Sequence, residues 1–276
     1  MRKPLIHLFC IDMQKDFCDR NGSLYVPGAE ADVDRAALFI DHNRQAITKI
    51  TATLDSHYRL HIGNPLWLVD GATRSHHPKP FTVIRADDVK TGIWTTTRPE
   101  FLKWTIYYLE ALEKAGKIHT IWPPHCLIGT DGHALSARLQ QAIGEWEEAR
   151  TNIARCVSKG SNPKVEHFSG FRSEVADPED PSTLMNTDLV RDIEEADQVI
   201  LFGEATTHCV LETVTDLVNN FSDPQAIRKT TLLLDCTSPV PDPVPVPGLF
   251  STRMDSFLRD MKARGMRICK STEVTL

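Results

Sequence analysis

One cysteine lies at a junction where its thiol could act as a nucleophile. Cys209 lies in GEATTHCV at 203–210, where the apolar run QVILF at 198–202 has ended and a helical pattern over 209–219 begins. The first N–H groups of a helix lack intrahelical partners and carry positive potential, which favours a thiolate and would stabilise an oxyanion. The position fits a cysteine nucleophile, and it equally fits a buried thiol that begins an ordinary helix.

An aspartate and a lysine also follow predicted strands. Asp12 comes directly after residues 5–11, and Lys159 comes just after residues 153–157. A carboxylate beside a buried strand is costly unless it is paired or reactive. Together with a cysteine, the lysine could stabilise a thiolate and the aspartate could carry its proton. Taken singly, Asp12 could cap a turn and Lys159 could be a solvated surface residue.

A second group of side chains has the chemistry of a metal site. Asp55 and His57 form a D-x-H pair after a possible strand at 51–54, and His125 lies in IWPPHC. A carboxylate with imidazoles suits zinc, iron or manganese, and three protein ligands leave positions open for water. His61, four residues after His57, is a possible further ligand. D-x-H pairs are common by chance, so this pattern is weak by itself.

These residues need a scaffold that brings strand ends together. Apolar runs alternate with helical patterns, which predicts a three-layer α/β/α fold with a central, mostly parallel sheet. Ligands bind at the carboxyl ends of the strands in such folds, where Asp12, Asp55, Lys159 and residues 203–209 all fall. The predicted strands lie at 5–11, 51–54, 153–157, 198–202, 231–234 and 266–269, and helical periodicity extends over 33–54, 99–115, 184–195, 209–219 and 250–264.

The composition is that of an ordinary globular protein. The chain has 276 residues, of which 41% are hydrophobic and 25% charged, and its net charge of -6 argues against a nucleic-acid-binding surface. We expect no membrane span and no signal peptide, because the apolar runs are too short. The seven cysteines are odd in number and widely spaced, which favours free thiols and a cytoplasmic location. The Pro-rich stretch 239–247 is predicted to be a surface loop.

Five segments, spread over nearly the whole chain, form recognisable motifs. They are DMQKDFC with GSLYVPGA at 12–29, LDSHYRLH at 54–61, WPPHCLIGTDGHAL at 122–135, SKGSNPKVEHFSGF at 158–171 and GEATTHCV at 203–210. In this order they resemble the nicotinamidase-like branch of the isochorismatase-like cysteine hydrolase family. Each motif alone is moderately specific, and five in order make the resemblance strong.

The resemblance implies a catalytic role for three side chains and two backbone groups. Cys209 would be the nucleophile, Asp12 the carboxylate that transfers its proton, and Lys159 their cationic partner. The backbone N–H groups of Ala205 and Cys209 would form the oxyanion hole. The family also has a cis peptide bond at the position of Glu204 and Ala205.

The resemblance also implies a metal site and a ring-binding pocket. A divalent ion, zinc with iron or manganese as alternatives, would bind the pyridine nitrogen of nicotinamide. Its ligands would be Asp55, His57 and His125. Two aromatic side chains, Phe17 and Trp122, would enclose the pyridine ring.

The chain departs from the family pattern in two ways. His61 and His125 are 64 positions apart (125 − 61), so we expect one domain over residues 1–276 with an insertion at about 63–119 beside the active site. The insertion could form a lid or wall of the pocket, or it could only cover the surface or make a subunit interface. Three substitutions mark the second departure: Glu204 replaces an aliphatic residue, Thr207 an Asp and Phe168 a Tyr.

The activity implied is hydrolysis of nicotinamide to nicotinate and ammonia through a thioester. We expect a small-molecule amide substrate, no nucleic-acid or membrane partner, and a homo-oligomer. A relative that cleaves carbamoyl or ureido amides with the same triad is the main alternative. Isochorismatase chemistry, which needs neither metal nor nucleophilic cysteine, is disfavoured by Cys209 and the metal ligands. A catalytically silent binding protein is disfavoured by the intact Asp, Lys and Cys.

Overall fold

The computed structural model describes residues 2–221, 223–242 and 248–276, so residues 243–247 of the Pro-rich stretch lie outside the described part. The described strands are β1 (Ile6–Ile11), β2 (Lys49–Asp55), β3 (Leu68–Asp70), β4 (Val83–Ile84), β5 (Trp94–Thr96), β6 (His119–Thr120), β7 (Arg155–Lys159), β8 (Gln198–Gly203), β9 (Thr230–Leu233) and β10 (Arg267–Cys269). The described α-helices are α1 (Lys15–Cys18), α2 (Ala29–Asn43), α3 (Ala86–Lys90), α4 (Leu102–Lys114), α5 (Ala137–Arg150), α6 (Thr187–Glu194), α7 (Cys209–Asn220) and α8 (Ser251–Ala263).

Six strands form one sheet in the order β10-β9-β8-β1-β2-β7, and each neighbouring pair is parallel. Alternate residues of β1 face opposite sides. Leu8 and Cys10 join a core that includes α2 and α5, whereas Phe9 and Ile11 join a core that includes α6, α7 and α8. Because helices cover both faces, the central strands β1 and β8 are almost entirely buried and mostly apolar, whereas the edge strands β7 and β10 are partly exposed. The structure confirms the three-layer α/β/α fold.

Two expectations about the elements were wrong. Helical periodicity over 33–54 was too long, because α2 ends at Asn43 and β2 begins at Lys49. The β-branched residues at Ile47 to Thr53 favour a strand, and this preference prevails over the 3.6-residue spacing. The sequence analysis also omits α5, although its buried residues recur at helical spacing, at Leu139, Ala142, Ile143 and Trp146.

Residues 63–119 form a small layer of their own beside the sheet. Antiparallel pairs β3–β5 and β4–β6 and helices α3 and α4 surround a separate apolar core, in which Trp67 and Tyr108 are buried. The layer is tied to the rest by hydrogen bonds from Trp122 N to Gly63 O (2.7 Å) and from Trp104 Nε1 to Lys164 O (2.7 Å). None of the described helices, here or elsewhere, has the length and apolarity needed to cross a membrane.

Four adjacent strands end at the same edge of the sheet. Asp12 directly follows β1, Asp55 ends β2, Lys159 ends β7, and Gly203 ends β8. In the sheet register Asp55 lies opposite Lys159 and Ile11 lies opposite Gly203. A side chain at Gly203 would put its Cβ 2.0 Å from Ile11 O, so glycine lets β8 approach β1 here. The register therefore brings residues that are far apart in sequence to one place.

Candidate active site

A buried lysine joins the aspartate and the cysteine. Lys159, which is 2% exposed, places its Nζ 2.8 Å from Asp12 Oδ2 and 3.7 Å from Cys209 Sγ. The same Nζ also lies 3.1 Å from Asp55 Oδ1 and donates to the backbone carbonyl of His167 at 2.8 Å. Lys159 is thus held in one position by four contacts. The structure brings together all three residues that the sequence analysis grouped as a triad.

Asp12 is fixed by the neighbouring strand. Its carboxylate Oδ1 accepts a hydrogen bond from Thr53 Oγ1 at 2.6 Å, and its backbone N–H donates to the same hydroxyl at 3.1 Å. Its φ of 48° turns the chain sharply away from β1. This conformation is uncommon for a residue with a side chain and directs the carboxylate towards Lys159.

Burial controls the protonation of this group. It raises the pKa of the Cys209 thiol well above its usual value, and the charge of Lys159 only partly opposes this. Burial also raises the pKa of Asp12, again against Lys159. Burial disfavours the charged form of Lys159, but Asp12 and Asp55 outweigh it and raise the pKa of the lysine well above its usual value. The resting state is therefore a thiol beside an ion pair, with a carboxylate that accepts protons more readily than usual.

Asp55, His57 and His125 form a cluster with the geometry of a metal site. Their candidate ligand atoms all lie within 4.8 Å of one another. Nε2 of His57 and Nε2 of His125 lie 2.9 and 3.3 Å from Asp55 Oδ2. Although burial opposes it, the charges of His57 and Lys159 hold the pKa of Asp55 well below its usual value.

The second hydrogen bonds of the two histidines support a metal at this point. His57 Nδ1 donates to Gly160 O at 3.3 Å, and His125 Nδ1 donates to Pro123 O at 2.8 Å. With Nδ1 bonded in this way, each neutral ring would leave its Nε2 lone pair free for a metal held together with Asp55, which is how metal-binding histidines are usually oriented. The donor set fits a divalent transition metal.

His61 does not belong to this cluster in the structure. Its ring lies 4.3 Å from that of His57, but both of its nitrogens have other partners. Nε2 donates to Val165 O at 3.0 Å, and Nδ1 accepts from Gly63 N at 3.1 Å. A fourth ligand from His61 would require both bonds to break.

Gln14 holds the backbone of the metal-site carboxylate. Its side-chain Nε2 donates to Asp55 O at 2.8 Å and to His133 O at 2.9 Å, and its Oε1 accepts from Asp55 N at 2.7 Å. These bonds join the turn after β1 to the end of β2. The sequence analysis assigns no role to Gln14, because its partners become neighbours only through the sheet.

A mostly apolar pocket opens beside these groups. Phe17 and Trp122, the two predicted ring-binding residues, are both buried in its wall, and Phe17 lies 5.3 Å from the ring of His125. Glu166 also lines it, and burial, followed by the charge of Asp55, raises the pKa of this carboxyl to about 8. The full lining is Phe17, Leu24, Val26, Asp55, Trp122, His125, Glu166, Phe168, Glu204, Ala205, His208, Cys209 and Val240.

The segment before Cys209 presents two backbone N–H groups. The peptide bond between Glu204 and Ala205 is cis, as the resemblance implies. The N–H groups of Thr206, His208 and Val210 are bonded to carbonyls, whereas those of Ala205, Thr207 and Cys209 have no hydrogen-bond acceptor within the described ranges. Of these three residues, Ala205 and Cys209 line the pocket. Two unpaired donors beside a thiol form an arrangement that suits an oxyanion.

Comparisons with known proteins agree with this geometry. No family model matches the sequence. The nicotinamidase of Escherichia coli is 28% identical over 210 residues, 76% of this chain and 74% of that protein. The nicotinamidase of Saccharomyces cerevisiae is 24% identical over 237 residues, 85% of this chain and 88% of that protein.

Solved structures share the fold over nearly all of the chain. An Acinetobacter baumanii nicotinamidase/pyrazinamidase superposes with a TM-score of 0.62 at 20% identity, covering 100% of both chains. A Pyrococcus horikoshii pyrazinamidase in complex with zinc has a TM-score of 0.55 at 21% identity, covering 97% and 99%. The chain is therefore similar to nicotinamidases in sequence over about three quarters of its length or more, and shares the fold of solved nicotinamidases and pyrazinamidases.

The inner pocket beside Cys209 adjoins a second, outer cavity. Trp122, Phe168 and His208 line both, whereas Leu112, residues 116–118 and Arg253 line only the outer one. Among the described residues, none of those that line the inner pocket comes from 63–119. This layer therefore contributes to the outer cavity and meets the inner pocket only behind Trp122, and its role as a lid stays a prediction.

Proposed function

We propose that the chain is a cysteine-dependent amidohydrolase that converts nicotinamide to nicotinate and ammonia. The observation that carries the proposal is Lys159, whose Nζ contacts Asp12 and lies 3.7 Å from Cys209 Sγ at the base of a closed pocket. The named relatives are nicotinamidases and pyrazinamidases, which supports a small aromatic amide as substrate. The apolar lining with Phe17 and Trp122 suits a flat ring.

The first half of the reaction forms a thioester. Cys209 gives its proton to Asp12, and the thiolate, stabilised by Lys159, attacks the carboxamide carbon. The backbone N–H groups of Ala205 and Cys209 receive the oxyanion of the tetrahedral intermediate. The C–N bond then breaks, and Asp12 returns the proton to the nitrogen, so that ammonia leaves and the acyl group stays on sulfur.

The second half hydrolyses the thioester by the same groups in reverse. Asp12 accepts a proton from a water molecule as its oxygen attacks the thioester carbon. The N–H groups of Ala205 and Cys209 again hold the oxyanion. When the C–S bond breaks, the sulfur takes the proton back from Asp12, and the product leaves as the acid, which loses its remaining proton to water to give nicotinate.

We further propose that Asp55, His57 and His125 bind a zinc ion, with iron or manganese as alternatives. The zinc-bound Pyrococcus horikoshii pyrazinamidase supports this choice, as does the one-carboxylate, two-imidazole donor set. Bound zinc would supply a Lewis-acid contact for the ring nitrogen of the substrate. His57 and His125 orient this contact through their carbonyl-bonded Nδ1 atoms, and Phe17 lies against His125.

The test is ammonia release from nicotinamide by the zinc-loaded protein and by Cys209→Ala. Wild type should release ammonia and Cys209→Ala should not, while Cys18→Ala, another buried thiol, should keep its activity. Carbamoyl and ureido amides are run in parallel, because a relative with the same triad could prefer them. If Cys209→Ala hydrolyses nicotinamide as fast as wild type, the proposed nucleophile is wrong. If wild type acts only on carbamoyl or ureido amides, the proposed substrate is wrong.

We also propose that residues 1–276 form a single domain with an insertion at 63–119, and that the protein is a homo-oligomer. Sedimentation tests the oligomeric state.

A further inference from the structure

A second carboxyl group is buried at the oxyanion segment. Glu204 is 1% exposed, lines the pocket and directly precedes Ala205, at a position where the family usually has an aliphatic residue. Its Oε1 has no hydrogen-bond donor among the described residues. Burying a charged carboxylate without a partner is strongly unfavourable, so this side chain needs an explanation.

Ser238 connects Glu204 to a second buried carboxyl group. The backbone N–H of Ser238 donates to Glu204 Oε2 at 3.2 Å, and its hydroxyl donates to Asp32 Oδ2 at 2.5 Å. Asp32, on α2, is 2% exposed. Ser238 thus holds two buried carboxyl groups through one residue. Two ionised carboxylates buried in this way would each need a cation nearby.

The charges around the pair decide which group is protonated. Arg35 Nη2 lies 2.6 Å from Asp32 Oδ1, so Asp32 has a cation. Glu204 forms no ion pair with any described residue. The one positive charge supports one carboxylate, and Asp32 is the group that it contacts.

We propose that Glu204 is a neutral carboxylic acid, connected to Asp32 through Ser238, and that this pair positions the Ala205 backbone N–H in the oxyanion hole. The catalytic part rests on the proposed function, whereas the protonation state does not. Burial, followed by the charge of Asp32, raises the pKa of Glu204 well above its usual value, in agreement with the geometry.

Ser238 explains how the pair would act on Ala205. Besides its N–H bond to Glu204, Ser238 accepts a hydrogen bond through its carbonyl from Thr206 N at 3.0 Å. The residues on both sides of Ala205 are therefore held by one residue. The adjacent Thr237 hydroxyl lies 2.8 Å from Thr206 Oγ1 and adds a further contact between the two segments. Ionisation of Glu204 would place a second negative charge beside Asp32, and the repulsion would weaken the contact between Glu204 and Ser238.

The other titratable groups near Glu204 do not change the expected direction in which stability depends on pH. Cys18 on α1 is buried, and burial raises the pKa of that thiol well above its usual value, so it stays neutral. Arg35 on α2 pairs with Asp32. A carboxyl whose pKa is raised on folding keeps its proton in the native state after the unfolded state has lost it, so stability falls as pH rises above about 4.3.

The test uses Glu204→Gln, which keeps an acceptor for the Ser238 N–H and cannot ionise, and Glu204→Leu, which loses that acceptor. Thermal unfolding is measured from pH 5 to pH 9 for each. The melting temperature of Glu204→Gln relative to wild type should rise steadily with pH. Glu30→Gln, on the same helix as Asp32, is the control, because its Tyr25 hydrogen bond lowers the pKa of Glu30 to about 2 and its effect should stay constant over this range.

Kinetics test the positioning role. At pH 7 Glu204→Leu should lower kcat at least about 10-fold with KM little changed, because the misplaced Ala205 N–H stabilises only the oxyanion. Glu204→Gln should restore kcat to near the wild-type value. A melting difference that does not change with pH would overturn the neutral-acid assignment, and a Glu204→Leu enzyme with wild-type kcat would overturn the positioning role. If the wild type hydrolyses no nicotinamide, the proposed function fails, yet the melting experiment still decides the protonation state.

Discussion

Substitution of Gln14 tests how strongly the proposed metal site depends on a residue that is not one of its ligands. Gln14→Leu keeps about the same volume and removes three hydrogen bonds, two of them to the backbone of Asp55 and one to His133 O. Each buried group left unsatisfied costs about 1–3 kcal/mol. Taking the lower figure for the three groups, the free energy of unfolding should fall by about 3 kcal/mol, or roughly 6 °C in melting temperature for a chain of this size.

The Asp55 carboxylate should lose its orientation along with its backbone. Loss of a residue that orients a metal ligand usually lowers metal affinity about 10- to 100-fold. We would measure thermal unfolding of the metal-free protein and zinc affinity in a metal buffer. Gln141→Leu is the matched control, because Gln141 is exposed on α5 and bonds only to Glu145, so it should change stability by less than about 0.5 kcal/mol. Wild-type zinc affinity together with an unchanged melting temperature would refute the reasoning.

Three further predictions concern the metal, a buried acid and the outer layer. His125→Ala, or a strong chelator, should abolish amide hydrolysis, measured as ammonia release, and zinc should restore activity only to the chelated wild type. Burial, followed by the charge of Glu212, raises the pKa of Glu174 to about 7, so this carboxyl should contribute less stability as the pH rises from 5 to 7; the melting temperature of Glu174→Gln relative to wild type should therefore rise over this range. Replacing 63–119 with a short linker should leave a folded protein that accepts larger amides, because this layer walls the outer cavity; an unchanged amide preference would contradict it.

The sequence predicts which residues lie at the strand ends better than it predicts which other residues hold them in place. Asp12, Asp55 and Lys159 follow apolar runs, and parallel strands place their carboxyl ends at one edge, so their proximity could be inferred before any contact was known. The local sequence around Cys209 is equally compatible with a catalytic nucleophile and with a buried core thiol. The 3.7 Å contact with Lys159 Nζ distinguishes its environment from that of an ordinary core thiol.

Supporting residues were missed because their partners are distant in sequence. Glu166 could be placed after Lys159 in a motif, yet nothing in its spacing shows that it lines the pocket. Ser238 and Asp32 are 206 residues apart and meet only because α2 packs beside the loop after β9. His61 shows the opposite error, since its i, i+4 spacing from His57 suggested a ligand whose nitrogens are in fact bonded elsewhere. Spacing identifies candidates, and tertiary contacts decide among them.

The charges around Lys159 bear on how the Cys209 thiol can be unreactive at rest and reactive with a bound substrate. The single lysine contacts two carboxylates, Asp12 and Asp55, so its positive charge is already matched before Cys209 is considered. Burial then keeps the thiol protonated, and a protonated thiol is a poor target for oxidation and alkylation. In the proposed mechanism the thiolate forms only as Asp12 accepts the proton, which costs least when an electrophilic carbon is in place to receive the electron pair. The reactivity of Cys209 would thereby be tied to substrate occupancy rather than to the pH of the solution.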